Sequence, residues 1–284
     1  MTKKELNQRI ADVKEIRDDE NNIMKTINEE LNEAVIKGNF EKVKECLKNG
    51  ANINYRHHSN TALHWAIWHK KNDIAKYLIE QGADINLKNE SETTPLDGDT
   101  PLKYAVQENN VEITNILLEH GADVNAKDNY NQTALIYATI CDKVDITKSL
   151  IKYGADVNVR DYDGKTALMN SCINNSLEIA KILIEKGANV NAITSFIDEK
   201  TNKKINISAL DMIPSNESIL KRITDHSCPC FYKNGELMNT NEIKTIDTKQ
   251  LKDFIISKGG KRGIEIKPKK IKPKSKSNDF GMGM

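Results

Sequence analysis

Cys228 and Cys230, separated by one proline and preceded by His226, form the grouping in this 284-residue sequence that most invites a metal. Structural zinc sites space their cysteines by about two to four residues and add a second ligand pair. A one-residue gap is too tight for that chelate and no second pair lies nearby, so these read as two reduced thiols. His57, His58, His64 and His69 cluster in one short stretch and read as one structural and three solvent-facing histidines, not as a metal site. Asp97-Gly98-Asp99 and Asp161-Tyr-Asp-Gly164 are dense in carboxylates, yet each is interleaved with glycine in the manner of a tight turn. No phosphate-cradling glycine loop, nucleophile elbow or paired-carboxylate arrangement is present. Neither a catalytic residue nor a metal or cofactor is expected, and the chain is not read as an enzyme.

Composition points the same way. The 42 basic and 41 acidic residues leave a net charge of +1, so no global field draws in nucleic acid or an acidic membrane. Apolar residues make up 38% and aromatics 5%, little for one globular core but enough for an elongated stack whose units bury only their neighbouring faces. No run reaches the roughly 18 apolar residues that a membrane helix needs. The first twenty residues are charged throughout and lack a signal-peptide core, and the five cysteines follow no disulfide framework. The expectation is a cytoplasmic or nuclear protein, monomeric and without membrane contact.

Self-similarity organises what remains. Gly-Ala-(Asp/Asn)-(Ile/Val)-Asn begins at Gly50, Gly82, Gly121, Gly154 and Gly187, in steps of 32, 39, 33 and 33 residues. A second string opens successive units: Thr61-Ala-Leu-His64, Thr100-Pro-Leu-Lys103, Thr133-Ala-Leu-Ile136 and Thr166-Ala-Leu-Met169, with a weaker copy at Ser208-Ala-Leu-Asp211. Thr suits a helix N-cap, and Pro101 falls where proline costs a helix least. Between the strings run apolar residues at helical spacing, such as Ile74, Tyr77 and Leu78, or Ile146, Leu150 and Ile151. Together the strings resemble the ankyrin signature, with its period of about 33 residues.

The resemblance implies an all-α solenoid of helix–turn–helix units joined by β-turn-like fingers; the residues outside it read as a flanking N-terminal helix and a partly disordered C-terminal tail. Repeats are expected over residues 28–224: an unheaded capping unit at 28–54, then 55–86, 95–125, 128–158 and 161–191, and a degenerate cap at 205–224. Residues 1–27 read as a charged helix with Ile10, Val13 and Ile23 packing on the first flank. Ile219, Leu220 and Ile223 suit the cap's second helix. The first helices end at Gly38, Lys70, Asn109, Asp142 and Asn175, of which Lys70 alone is ill suited to a left-handed turn. Only His64 keeps the family histidine; Lys103, Ile136 and Met169 replace it, which thins its hydrogen-bond network. One loop gains about six residues within Leu87–Pro95 and another about nine within Ile193–Ile207. Both carboxylate-rich strings fall where the family places finger turns.

Beyond residue 225 the repeat pattern stops. A short helix is predicted over 247–258, then a basic stretch from Lys258 to Lys276 opposed by Glu265 alone, whose prolines and lysines predict disorder.

The resemblance also carries over a recognition surface for a protein partner. At finger tips it comprises His57, His58, Asn60, Leu96, Asp97, Asp99, Asn129, Tyr130, Gln132, Tyr162, Asp163 and Lys165. At the ends of first helices it comprises Trp68, His69, Gln107, Glu108, Ile140, Cys141, Ile173 and Asn174. Trp68, Tyr130 and Tyr162 are the leading anchors, because exposed aromatics dominate binding energy. Asn86, Asn125 and Asn158 match a pattern modified by asparaginyl hydroxylases, against a purely loop-ordering role. The implied function is a protein-interaction adaptor. The alternatives are a nuclear or nucleic-acid-associated regulator directed by the basic tail, and a substrate-recruiting subunit of a ubiquitin ligase.

Overall fold

The computed structural model describes residues 22–90, 98–198, 203–213, 232–233, 236–237 and 248–262. Five antiparallel helix pairs succeed one another: α1 (22–37) with α2 (Phe40–Lys48), α3 (Ala62–Trp68) with α4 (Asn72–Glu80), α5 (Pro101–Gln107) with α6 (Val111–Glu119), α7 (Ala134–Ile140) with α8 (Val144–Lys152), and α9 (Ala167–Ile173) with α10 (Leu177–Glu185). From α3 onward, first helices neighbour first helices and second helices neighbour second helices, so the stack has two helical layers.

Each headed unit starts on a buried threonine. The hydroxyls of Thr100, Thr133 and Thr166 accept from the backbone N–H of Lys103, Ile136 and Met169, satisfying a donor that the helix leaves free. Two residues on, Leu63, Leu102, Leu135 and Leu168 are buried in the same core as Leu78, Leu117, Leu150 and Leu183 of the second helices. Each such leucine contributes about 1.5–3 kcal/mol. The turn between paired helices is left-handed at Gly38, Lys70, Asn109, Asp142 and Asn175, with φ of 74, 54, 53, 53 and 55°.

Asparagines stitch unit to unit. Asn54 accepts from Asp84 N, Asn86 from Asp123 N, Asn125 from Asp156 N and Asn158 from Asn189 N, all at 2.8–2.9 Å. Asn28 begins this ladder by accepting from Asn52 N. The loop-ordering role of Asn86, Asn125 and Asn158 is thereby visible as geometry.

Several expectations need correction. Helix α1 runs unbroken through the anticipated boundary at residue 27, and Ile23 is exposed, not packed; Ile10 and Val13 lie outside the described residues. The six-residue insertion sits between Asn89 and Gly98. Asn89 N donates to Asp99 O, and its side-chain oxygen accepts from Gly98 N and Asp99 N. This repeats the closure that Asp128 makes with Gln132 and Asp161 with Lys165. The second insertion is an antiparallel hairpin, β1 (Ile193–Asp198) with β2 (Lys203–Ser208), that rests on the preceding finger through Thr194 Oγ1 to Asp163 O at 2.6 Å.

The final unit opens with a short 3₁₀ turn, Leu210–Met212, whose Asp211 carboxylate accepts from both the N–H and the hydroxyl of Ser208. The stretch around Ile219, Leu220 and Ile223, expected to supply its second helix, lies outside the described residues. The place beside α10 is held by α11 (Lys249–Ser257), with Leu251 and Ile255 buried.

Candidate partner-binding face

The ends of the first helices align Trp68, Gln107, Ile140 and Ile173 in one row, because each is the last residue of a seven-residue helix. One turn earlier, Trp65, Tyr104 and Tyr137 form a second row. Trp68 is half exposed, with its ring 6.0 Å from Trp65 and 5.7 Å from Tyr104. His69 stacks on Trp65 at 5.8 Å, and the Trp65 indole N–H donates to His57 O at 3.1 Å. His57 and His58 meet edge to face at 4.1 Å, while residues 58 and 59 adopt left-handed backbone to turn the finger. An aromatic patch thus joins helix end to finger.

The other anticipated residues divide by environment. Tyr130 and Tyr162 occupy adjacent fingers joined by Tyr162 N to Tyr130 O at 2.8 Å, and Tyr162 is 78% exposed. Asn129 and Asp163 are exposed and Gln132 is half-buried; the Asp163 carboxylate pairs with Lys165 at 3.0 Å. Glu108 pairs with Lys70 at 3.5 Å, and Gln107 donates to Asp99 Oδ2 at 2.8 Å. Ile140, Cys141 and Ile173 are half-buried. Asn174 donates to Thr139 O and Ile140 O, which fixes it as a tie between units. Leu96 and Asp97 lie outside the described residues.

Asn60 and Asp99 do not belong on this face. Asn60 is buried and accepts from Tyr104 OH at 2.9 Å, with Asn89 donating to the same hydroxyl at 3.0 Å. Asp99 is buried against Lys103 Nζ at 2.7 Å, and that ammonium also bonds Asp128. Lys103 therefore fills the histidine position with a buried ion-pair network, and the expected thinning holds only at Ile136 and Met169, which are apolar there. The pairing was not visible in sequence because Lys103 and Asp128 stand 25 residues apart.

His64 shows what the position does elsewhere. Its Nδ1 meets Thr61 Oγ1 at 2.8 Å and its Nε2 meets Asp99 O at 3.2 Å, linking one unit to the next finger. Burial holds its pKa down to about 4, so the ring is neutral at pH 7. Burial raises the Cys172 thiol to about 12, which keeps it protonated and inert. Among the described residues, no group of three or more His, Cys, Asp or Glu is placed to hold a metal, and no helix is long and apolar enough to cross a membrane. His226, Cys228, Cys230 and the basic residues after Arg262 lie outside the described residues.

The family model for ankyrin repeats (3 copies) matches residues 13–89, 88–161 and 128–194. This chain belongs to the ankyrin-repeat family. Protein phosphatase 1 regulatory subunit 27 of Homo sapiens and that of Mus musculus are each 44% identical to it over 68 residues, 24% of this chain and 44% of theirs. An ankyrin repeat protein of Rickettsia bellii (strain RML369-C) is 37% identical over 79 residues, 25% of this chain and 47% of that protein. The chain spans less than half the length of these curated relatives. Ankyrin repeats mark it as a protein-interaction module, and the ankyrin signature explains the threonine caps, asparagine ladder and fingers described above.

Proposed function

We propose that this ankyrin protein is a non-enzymatic adaptor that holds a protein partner against the inner row of helix ends and the neighbouring fingers. The observation that carries this reading is Trp68, a large aromatic 50% exposed yet braced by Trp65 and Tyr104. A braced ring loses little side-chain freedom on binding, and aromatics are over-represented among residues that dominate binding energy. Around it the inner row is mostly uncharged: Gln107, Ile140, Cys141, Ile173 and Asn174, with Glu108 already paired to Lys70. Tyr130 and Tyr162 extend the aromatic surface along the finger tips. A relative named as a phosphatase regulatory subunit fits a binding role.

The test is affinity capture from the native host with the wild-type chain and with Trp68→Ala combined with Tyr130→Ala. Both side chains are exposed, so the double variant should keep its fold, checked by circular dichroism, while losing at least tenfold in capture. Undiminished capture by the folded variant would remove this surface from consideration.

A further inference from the structure

The last repeat is split in sequence. Its 3₁₀ turn ends at Met212, and the helix that completes it is Lys249–Ser257, with residues 214–247 intervening. Every other second helix follows its first helix after a tight turn. Helix α11 nevertheless reproduces the family arrangement in detail. Leu251 and Ile255 are buried beside α10, and Phe254 packs on the same core with Lys181 Nζ 5.9 Å from its ring. Gly259 has φ 81° where Gly187 has 86°. Gly260 N donates to Ile255 O at 2.9 Å, as Ala188 N does to Leu183 O. Asn191 donates to Gly259 O at 3.0 Å and accepts from Lys261 N at 2.9 Å. Asn158 makes the same two bonds, to Gly187 O and from Asn189 N, one unit earlier.

A nine-residue helix does not hold itself together in water, and Thr248 offers no side-chain cap hydrogen bond. The surface formed by α10, the 3₁₀ turn and Asn191 therefore supplies most of what keeps α11 helical. We propose that this end of the stack is a docking groove for a short amphipathic helix, with α11 as its tethered and displaceable resident. The resident defines the ligand: apolar side chains at i, i+3 and i+4, as Leu251, Phe254 and Ile255, followed by Gly-Gly whose backbone reaches Asn191. A helix of that chemistry on another polypeptide competes with α11 for the groove. Because α11 belongs to the same chain, its docking is intramolecular, so the resident wins unless its own contacts are weakened. This groove lies at the opposite end of the repeat series from Trp68 and does not depend on the reading of that face.

The probe is a synthetic peptide of residues 248–262, and the receptor is the full-length chain carrying Ile255→Asp, which evicts the resident. The peptide should bind this variant at least tenfold more tightly than it binds the wild-type chain, and a peptide that itself carries Ile255→Asp should bind neither. Equal binding to both receptors, or to neither, would overturn the proposal. Hydrogen exchange on the wild-type chain gives a second measurement that does not rely on the variant folding. Amides of residues 253–260 should exchange at least tenfold faster than those of α10, through an opening with weak denaturant dependence. A shared rate and denaturant dependence for α10 and α11 would make the cap inseparable and end the idea.

Discussion

Lys103 Nζ lies 2.7 Å from the Asp99 carboxylate, inside the slot that His64 occupies one repeat earlier. Asp128, nearly inaccessible, contacts the same ammonium and also accepts from Tyr130 N and Gln132 N. One cation thus bridges two buried carboxylates and fixes two successive fingers.

Removing that cation strands both acids. Lys103→Met should cost roughly 3–5 kcal/mol, the range for breaking a buried pair. Adding Asp128→Asn, which keeps the oxygen that accepts from the finger backbone, should restore part of the loss. Urea unfolding of the two variants and the wild type measures this directly; a Met variant as stable as wild type would show that the network contributes nothing.

His64 makes the protein sensitive to mild acid. Its folded pKa of about 4 lies below the ordinary value of 6.5, so the unfolded chain takes up a proton first as pH falls. The associated stability is complete above pH 6.5 and drains away between there and about pH 4, by about 3 kcal/mol. His64→Gln, which keeps hydrogen-bonding capacity without titrating, should flatten the fall measured by denaturation between pH 7.5 and 4.5. Parallel curves for the variant and the wild type would assign that fall to other groups.

Lys70 sits at φ 54° in the turn where the equivalent positions carry Gly38, Asn109, Asp142 and Asn175. A left-handed lysine costs roughly 1 kcal/mol, more than its exposed ion pair with Glu108 returns. Lys70→Asn should therefore raise stability by about 0.5–1 kcal/mol, seen as a higher melting temperature. A lower one would mean the ion pair outweighs the strain.

The asparagine ladder offers a further measurement. Asn125→Ala removes the acceptor for Asp156 N and the donor to Gly154 O. Because both bonds are solvent-exposed, the expected loss is about 1 kcal/mol, and the equivalent Asn158→Ala should cost a similar amount. A large difference between the two would reveal that the stack is not uniform along its length.

Much of this architecture was legible because the same physical demand recurs every 33 residues or so. Threonine caps, buried leucines and left-handed turns are local requirements, and Lys70 was recognisable as the misfit because its four counterparts are Gly, Asn or Asp. Long-range relations were harder. The burial of Asn60 depends on Tyr104, which stands 44 residues away, and the Lys103 network depends on a finger in the next repeat. The hairpin at Ile193–Ser208 carries no turn signature strong enough to separate it from a loop. Helix α11 did leave a trace: Ile255-Ile256-Ser257-Lys258-Gly259-Gly260 parallels Leu183-Ile184-Glu185-Lys186-Gly187-Ala188. The helix itself is predicted over 247–258, but its place in the last repeat is not, because no Thr-Ala-Leu string precedes it within one period. The partner face is only partly readable from residue type, since aromatic rings mark it but nothing local separates Asp99, which is scaffold, from Asp163, which is surface.

Asn89 closes the base of the enlarged finger by holding Gly98 and Asp99 where an ordinary finger would have its neighbouring residues. The repeats above and below therefore keep their register whatever is strung between residues 90 and 97. Lengthening such a closed loop costs only about 0.6 kcal/mol per doubling. In engineering terms the position is a socket: an epitope, a sensor peptide or a second binding loop inserted there should be carried by the scaffold without renegotiating its fold.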